Sequence, residues 1–436
     1  MALATGSPIR SLAPETLEEI VAFTTPESHL ALSRVSKLLH TLCVRSIYCN
    51  VELTTLVGVV KCCRTLASND GIASAVRSFA ISYIPSSSPI CSSFYSLVSK
   101  ALARLTHVHH LLLLVPDCNY ASVLPHCSLP RLRHFECHLP LDGTMVSFLN
   151  HHPHISYLQL GAQEEIPPPR LGDQAVTVTL PQLEYFIGNS SCVAPILHRA
   201  SLRAAFITWD AVGETTGDSL AALQRSSGDT LNLLSCRRPG WNLDLLERIA
   251  DHVPHIYSLV LTNLFFVDVQ PTNLQAIGQH LARFSSLQRL EITCVNVRKL
   301  ADEVPAPHMD SAFDTATAFG ALCTSLTECT LPQAPQIRLL RVCDDLWLPD
   351  ISQSVELRPS PIAILSLRWI WGVLRRSAYP GWPRVVEAVR SRGGDTWRRL
   401  EALQDAALLR EYPEEDQDEV VNGVLSVKLG GVGWCV

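Results

Sequence analysis

Charge is scarce in this chain, and long apolar runs are absent. Charged residues fill 17% of its 436 positions, against roughly 25% in an ordinary soluble domain. With 47% apolar residues it is not a disordered polymer, which would be polar and charge-rich. The formal net charge is only -6, so no whole-chain attraction to nucleic acid or to an acidic membrane follows. The most apolar stretch, Leu111 to Val115, is five residues long. A membrane span needs roughly twenty, so none is expected. The first residues, MALATGSPIR, lack the apolar core and cleavage pattern of a secretory signal. No C-x-x-C occurs, and the fifteen cysteines are scattered and odd in number. That predicts buried, reduced thiols in a cytoplasmic or nuclear protein rather than a disulfide framework.

Catalytic signatures are missing too. There is no G-x-S-x-G, H-E-x-x-H, G-x-x-x-x-G-K-[ST] or G-x-G-x-x-G, so the common arguments for an enzyme fall away. Two histidine clusters stand out, His107/His109/His110 and His151/His152/His154. Zinc needs such ligands converging at set spacings. Each cluster instead falls where a helix gives way to a strand, a place where histidine interacts well with the helix dipole. No catalytic residue, metal or cofactor is assigned.

What the chain does have is an internal repeat. The pattern is apolar, two residues, apolar, one residue, apolar. It appears at Val76/Phe79/Ile81, Val108/Leu111/Leu113, Leu132/Phe135/Cys137 and Ile155/Leu158/Leu160. It returns at Leu183/Phe186, with Gly188 in third place, and at Ile256/Leu259/Leu261, Leu287/Leu290/Ile292 and Leu326/Cys329/Leu331. Weaker copies start at Leu202 and Leu231. The mean spacing is about 28 residues, within the roughly 20–29 of leucine-rich repeats, which carry one strand and one helix per unit. Helical stretches lie between the copies, among them Asn242 to Val253 and Asn273 to Phe284, each with apolar residues three and four apart. One such unit cannot bury its own apolar face, so neighbours must stack into a solenoid.

The first fifty residues differ. Leu12 to Ile20 predicts an amphipathic helix with acidic residues in its first turns. After a break at Thr24 to Ser28, a second helix carries Leu30, Leu32, Val35, Leu38, Leu39 and Leu42. Leu12, Glu15, Leu17 and Ile20, with Pro14 one place late, resemble the opening of the F-box motif. His29 to Lys37 looks like its valine-serine-lysine helix, and Ser46 to Val51 like its closing aromatic stretch. An F-box followed by leucine-rich repeats is similar to a large family of repeat proteins found in mushroom-forming fungi. The resemblance implies docking onto a Skp-type adaptor within a cullin ubiquitin ligase, with Leu12, Pro14, Leu17, Ile20, Leu30, Val35 and Ser36 on the bound face. It also implies that the repeats hold a protein substrate. Alternatively, the helices only pack onto the first repeat, and the chain is an interaction scaffold or sensor without a ligase partner.

Side chains alternate along a strand. If the second and third apolar positions face inward, the residues between and beside them form an open row on the concave face. His134, Glu136, Tyr157, Gln159, Tyr185, Arg289 and Glu291 are its candidate substrate contacts. The row is aromatic and of mixed charge, which suits a protein better than a phosphate backbone. Beyond Trp347 the repeat pattern stops. Residues 358–399 carry a net +7 with four tryptophans, and residues 401–419 a net -7. They are read as a helical cap over the solenoid end, with helices near 360–376 and 395–412, a solvated acidic run, and a hairpin signal at 420–425. The expected fold class is α/β: an F-box-like helical unit over 1–53, an irregular leucine-rich-repeat solenoid over 54–345, and a helical C-terminal extension over 346–436. Neither nucleic acid nor membrane is an expected partner.

Overall fold

The computed structural model describes residues 12–83, 90–161, 177–209, 216–241, 243–265, 271–294, 307–332, 337–343 and 346–349. The expected features beyond residue 349, which are the arginine–tryptophan cap, the acidic run and the hairpin, lie outside these. The chain is mixed α/β with mostly parallel strands. It divides into two compact units. The first takes the described residues of Met1–Ala205 with Arg225–Thr230, and the second those of Phe206–Gln224 with Leu231–Val436. No helix among the described residues is long and apolar enough to cross a membrane.

The first unit opens with three helices, α1 (Pro14–Ala22), α2 (Pro26–Leu32) and α3 (Lys37–Cys49). Their starts are set locally. Proline at the first position of α1 and α2 loses no hydrogen bond there, because that N–H has no helical partner. Thr25 caps α2, and the Ser36 hydroxyl caps α3 by accepting the Leu39 N–H at 3.2 Å. The single second helix expected from the leucine pattern is therefore two helices: α2 ends at Leu32 with Ser33 as its cap, and Ser36 starts α3.

Strands and helices then alternate: β1 (Asn50–Leu53), α4 (Leu56–Ser68), α5 (Asp70–Ala73), β2 (Ser78–Ile81), α6 (Ser92–Leu102) and β3 (His110–Leu113). A 3-10 stretch, Cys118–His126, takes the place of a helix before β4 (His134–Cys137). Next come α7 (Gly143–His151), β5 (Tyr157–Leu160), β6 (Tyr185–Asn189) and α8 (Ser190–Ile196). From β1 to β6 each strand pairs in parallel with the next. Phe79, Leu111, Phe135, Leu158 and Phe186 fall in one row of the register and are all buried. These are the second apolar positions of the repeat.

The first apolar position closes a turn. The N–H groups of Val108, Leu132, Ile155 and Leu183 donate to the carbonyls of Leu105, Leu129, His152 and Leu180, at 3.0–3.3 Å. A second device follows one or two residues later. The Arg77 carbonyl accepts from both His109 and His110, and the His109 carbonyl from both Arg133 and His134. The Arg133 and Ser156 carbonyls do the same for Ser156/Tyr157 and Glu184/Tyr185. His152 occupies a turn position that is apolar in the other three. Its Nε2 accepts the Leu129 N–H at 3.0 Å, so Nδ1 carries the proton that Phe148 O accepts at 2.7 Å. Burial pushes its pKa down, outweighing the hydrogen bond to Phe148, so the ring is held neutral. Its role is to join two turns, and it does not act through charge on a helix dipole.

In the second unit β8 (Leu233–Arg238), β9 (Ser258–Asn263), β10 (Arg289–Cys294) and β11 (Glu328–Leu331) pair in parallel. Helices α10 (Leu243–His252), α11 (Pro271–Leu281) and α12 (Pro307–Leu322) alternate with them. The remaining elements, β7 (Ala204–Thr208) and α9 (Thr216–Ser227), fall across the division between the units. The same turns recur: the Tyr257 carbonyl accepts from Gln288 and Arg289, and that of Gln288 from Thr327 and Glu328. The pattern then changes. β12 (Ile337–Cys343) and β13 (Leu346–Pro349) run antiparallel. Leu346–Pro349, expected to open the C-terminal extension, thus extends this sheet.

Trp347 of β13 is fully buried and lies against Gly320 of α12. A Cβ on Gly320 would stand 2.8 Å from the tryptophan Cζ2. Alanine in mid-helix normally gains about 1 kcal/mol over glycine. Here overpacking against a rigid buried ring costs about 1–3 kcal/mol. Gly320→Ala is therefore expected to lower stability, by up to about 2 kcal/mol net, and equilibrium urea unfolding measures it. An increase in stability would show that β13 does not hold its tryptophan on α12.

Candidate functional site

Two surfaces carry the residues singled out from the sequence. The first is the N-terminal helices. Leu17 and Val21 of α1 and Leu39, Leu42 and Cys43 of α3 form their buried core, with Leu32 and Ile47 against it. The buried His29 donates from Nε2 to the Val21 carbonyl at 2.8 Å and so ties α2 to the end of α1. Leu17 is thus packing, not surface, because it lies on the α1 face turned toward α3. Ser36 is exposed, but its hydroxyl is spent on the cap. Leu12, Pro14, Ile20, Leu30 and Val35 are all exposed, Leu30 at 59% and Val35 at 66%. Two further apolar residues join them. Phe23, which ends α1, is 91% exposed, and Leu38 is 45% exposed. The sequence signal for Phe23 is its place between the last buried residue of α1 and the Thr-Thr-Pro break, where no helix face remains to bury it.

The second surface is the open face of the parallel strands. Inward residues alternate with half-buried ones along β2, β4 and β5, and in β3 with the exposed His110 and half-buried Leu112. Because the register is in step, His110, His134, Tyr157 and Tyr185 lie side by side on four successive strands. The His134 and Tyr157 rings are stacked at 3.9 Å and 6°. His110 lies 5.2 Å from His134, and Tyr185 lies 6.3 Å from Tyr157. Glu136 and Gln159 form the adjacent row. His134 Nε2 donates to Glu136 Oε1 at 2.6 Å, and the Tyr157 hydroxyl donates to Gln159 Oε1 at 3.2 Å. Burial, helped by the Glu136 charge, pushes the Tyr157 phenol up, and burial beside His134 pushes His110 down. Five of the seven face residues are therefore one connected set in the first unit. His110 completes the ladder and was missed as a contact because it was read as part of the His107/His109/His110 cluster at a helix end.

Arg289 and Glu291 belong to the second unit, on β10. Arg289 Nε donates to Glu328 Oε2 at 2.6 Å, and Arg338 of β12 donates to the same oxygen at 2.6 Å. Glu328 and Arg338 were not expected, since nothing in the repeat pattern places β12 beside β11. Burial alone would raise the Glu328 pKa, but the two arginines outweigh it and hold the carboxylate below its ordinary value.

Among the described residues, no group of three or more histidine, cysteine or acidic side chains is placed to hold a metal ion. Among the described residues no disulfide joins any of the thirteen cysteines, and eight of them are buried. No protein-family model matches the chain, and no curated protein matches it.

The Glu328 arrangement sets a pH dependence. A carboxylate whose folded pKa is depressed stabilises the fold above its unfolded value, near 4.3, and that stability is lost as pH falls through the folded value. The site is partly exposed, so about 1 kcal/mol is expected at neutral pH. Glu328→Gln should cost about that much at pH 7 and flatten the loss of stability between pH 5 and pH 3. Parallel unfolding curves for the two proteins across that range would dismiss the arrangement.

Proposed function

We propose that this protein is a substrate-recognition adaptor of a Skp–cullin–F-box ubiquitin ligase. The N-terminal helices would bind the Skp-type adaptor, and the face of a leucine-rich-repeat solenoid would take a protein substrate. Catalysis would reside in other subunits, and this chain would act by proximity. One observation carries the reading. Eleven large apolar side chains are strongly exposed among the described residues, and six of them fall between Leu12 and Leu38. Scattered apolar residues are normal on a surface, but a concentration of them marks a place where something docks. The motif resemblance adds to this, with Leu12, Pro14, Ile20, Leu30 and Val35 as contacts and Phe23 and Leu38 beside them.

The second contact is the ladder from His110 to Tyr185. Aromatic rings with a polar tip, flanked by Glu136 and Gln159, offer large contact area at low entropy cost, as protein-binding surfaces do.

The deciding experiment is a binding assay between the full chain and a Skp-type adaptor. Burying Leu30 and Val35 would contribute about 1.5–3 kcal/mol each before association costs. Leu30→Asp with Val35→Asp should therefore weaken binding roughly 100-fold or more. Both residues are exposed, so circular dichroism should show an intact fold. An absence of wild-type binding would leave these helices as a cap on the first strand, and the chain as a repeat scaffold with another partner.

A further inference from the structure

In the second unit, a cavity of about 30 Å³ lies where the end of β8, the end of β9 and the first turn of α10 meet. That is room for one small polar group. Asn263, 1% exposed, dominates its chemistry. The Asn263 Oδ1 accepts two backbone N–H groups, from Gly240 and from Phe265, each at 2.9 Å. That fixes the amide orientation, since the flipped amide would set two donors against two donors. The Nδ2 therefore keeps two hydrogens to donate, and it is buried without an acceptor among the described residues. Trp241 lines the same cavity, and its Nε1–H is likewise buried without an acceptor. Gly240 makes this possible: its φ of +77° turns the chain so that its own N–H reaches Asn263 and the next residue is Trp241.

Three further features agree in sign. Arg238, 7% exposed, ends β8 on the cavity wall. Leu243 and Leu246 of the ten-residue α10 also line it, so the cavity lies at the positive end of that helix dipole. No aspartate or glutamate lines it among the described residues. Orphaned buried donors are costly unless something accepts from them. We propose that this cavity binds a carboxylate group, with Asn263 Nδ2 and Trp241 Nε1 as its hydrogen-bond donors. The proposal is independent of ligase docking. Gly240 and Trp241 are half-buried, so the group enters from the surface and its substituent stays outside. The carboxylate belongs either to a free small acid or to the end of a peptide.

The test uses the full chain at fixed ionic strength, by calorimetric titration and thermal unfolding. The probes are acetate, its neutral isostere acetamide, N-acetylglycine and N-acetylglycinamide. Acetate or N-acetylglycine should bind saturably and raise the melting temperature, at least tenfold more tightly than the matching amide. Tighter binding of N-acetylglycine assigns the site to peptide ends, and tighter binding of acetate assigns it to free acids. Asn263→Asp keeps the Oδ1 acceptor for Gly240 and Phe265 but replaces the donors with negative charge, so binding should vanish. Trp241→Phe keeps the ring and removes one donor, and should weaken binding about tenfold. Equal response to acid and amide, no response beyond that to chloride, or unchanged binding in the Trp241→Phe protein overturns the proposal and leaves ordered water in the cavity. The tryptophan variant decides alone if the aspartate variant does not fold.

Discussion

Everything on the open sheet face depends on the forked hydrogen bond at the start of the parallel strands β3 to β6. One carbonyl from the preceding turn accepts two successive N–H groups of the next, as Arg77 does for His109 and His110. The arrangement sets the register at the entry to each of these strands. A one-residue slip would turn every inward side chain outward. With strands only four residues long, the sheet has little pairing of its own to resist such a slip. The i to i−3 turn just before it adds a second pin, because the first apolar position of the repeat is held by both its buried side chain and its N–H. Core and surface are thus assigned together. The register that stacks Phe79, Leu111, Phe135 and Leu158 inside is the one that stacks His110, His134 and Tyr157 outside.

That coupling explains what could be read from the sequence. The spacing of the pattern is local, covering six residues, and its inward positions need only be apolar. It therefore located the strands and their outer row, including His134, Glu136, Tyr157 and Gln159. Interactions that cross many residues left no such trace. The pairing of β12 with β11 is antiparallel, so the Arg338–Glu328 contact has no repeat to announce it. Asn263 is a polar residue at the end of a strand, and only the turn at Gly240 shows where its amide points. His152 illustrates the same limit. Its cluster suggested a charged helix-end role, while the neutral ring bridges the α7 carbonyl of Phe148 and the N–H of Leu129 in a separate turn.

The N-terminal helices were legible in a different way. A motif marks which residues recur, but not which of them pack inward. Leu17 and Ile20 are three apart on one helix, yet only Leu17 meets α3. Ser36 matched the motif as a contact, but the start of α3 requires it as a cap. Phe23 matched nothing and is the most exposed large apolar residue of the described chain.

The join between these helices and the strands bears on the proposed mechanism. Asn50 both ends α3 and begins β1, so no linker intervenes. The Arg77 N–H of the next turn bonds to the Cys49 carbonyl in the last turn of α3 at 2.8 Å. A flexible linker would let a docked partner sample many positions relative to the sheet face. On the proposed reading, a partner on Leu30 and Val35 would be held at a set distance from the ladder that ends at Tyr185. Adaptors that work by proximity need such a fixed separation, and a helical unit serving only to cover the first strand would not need to keep its own apolar side chains outside.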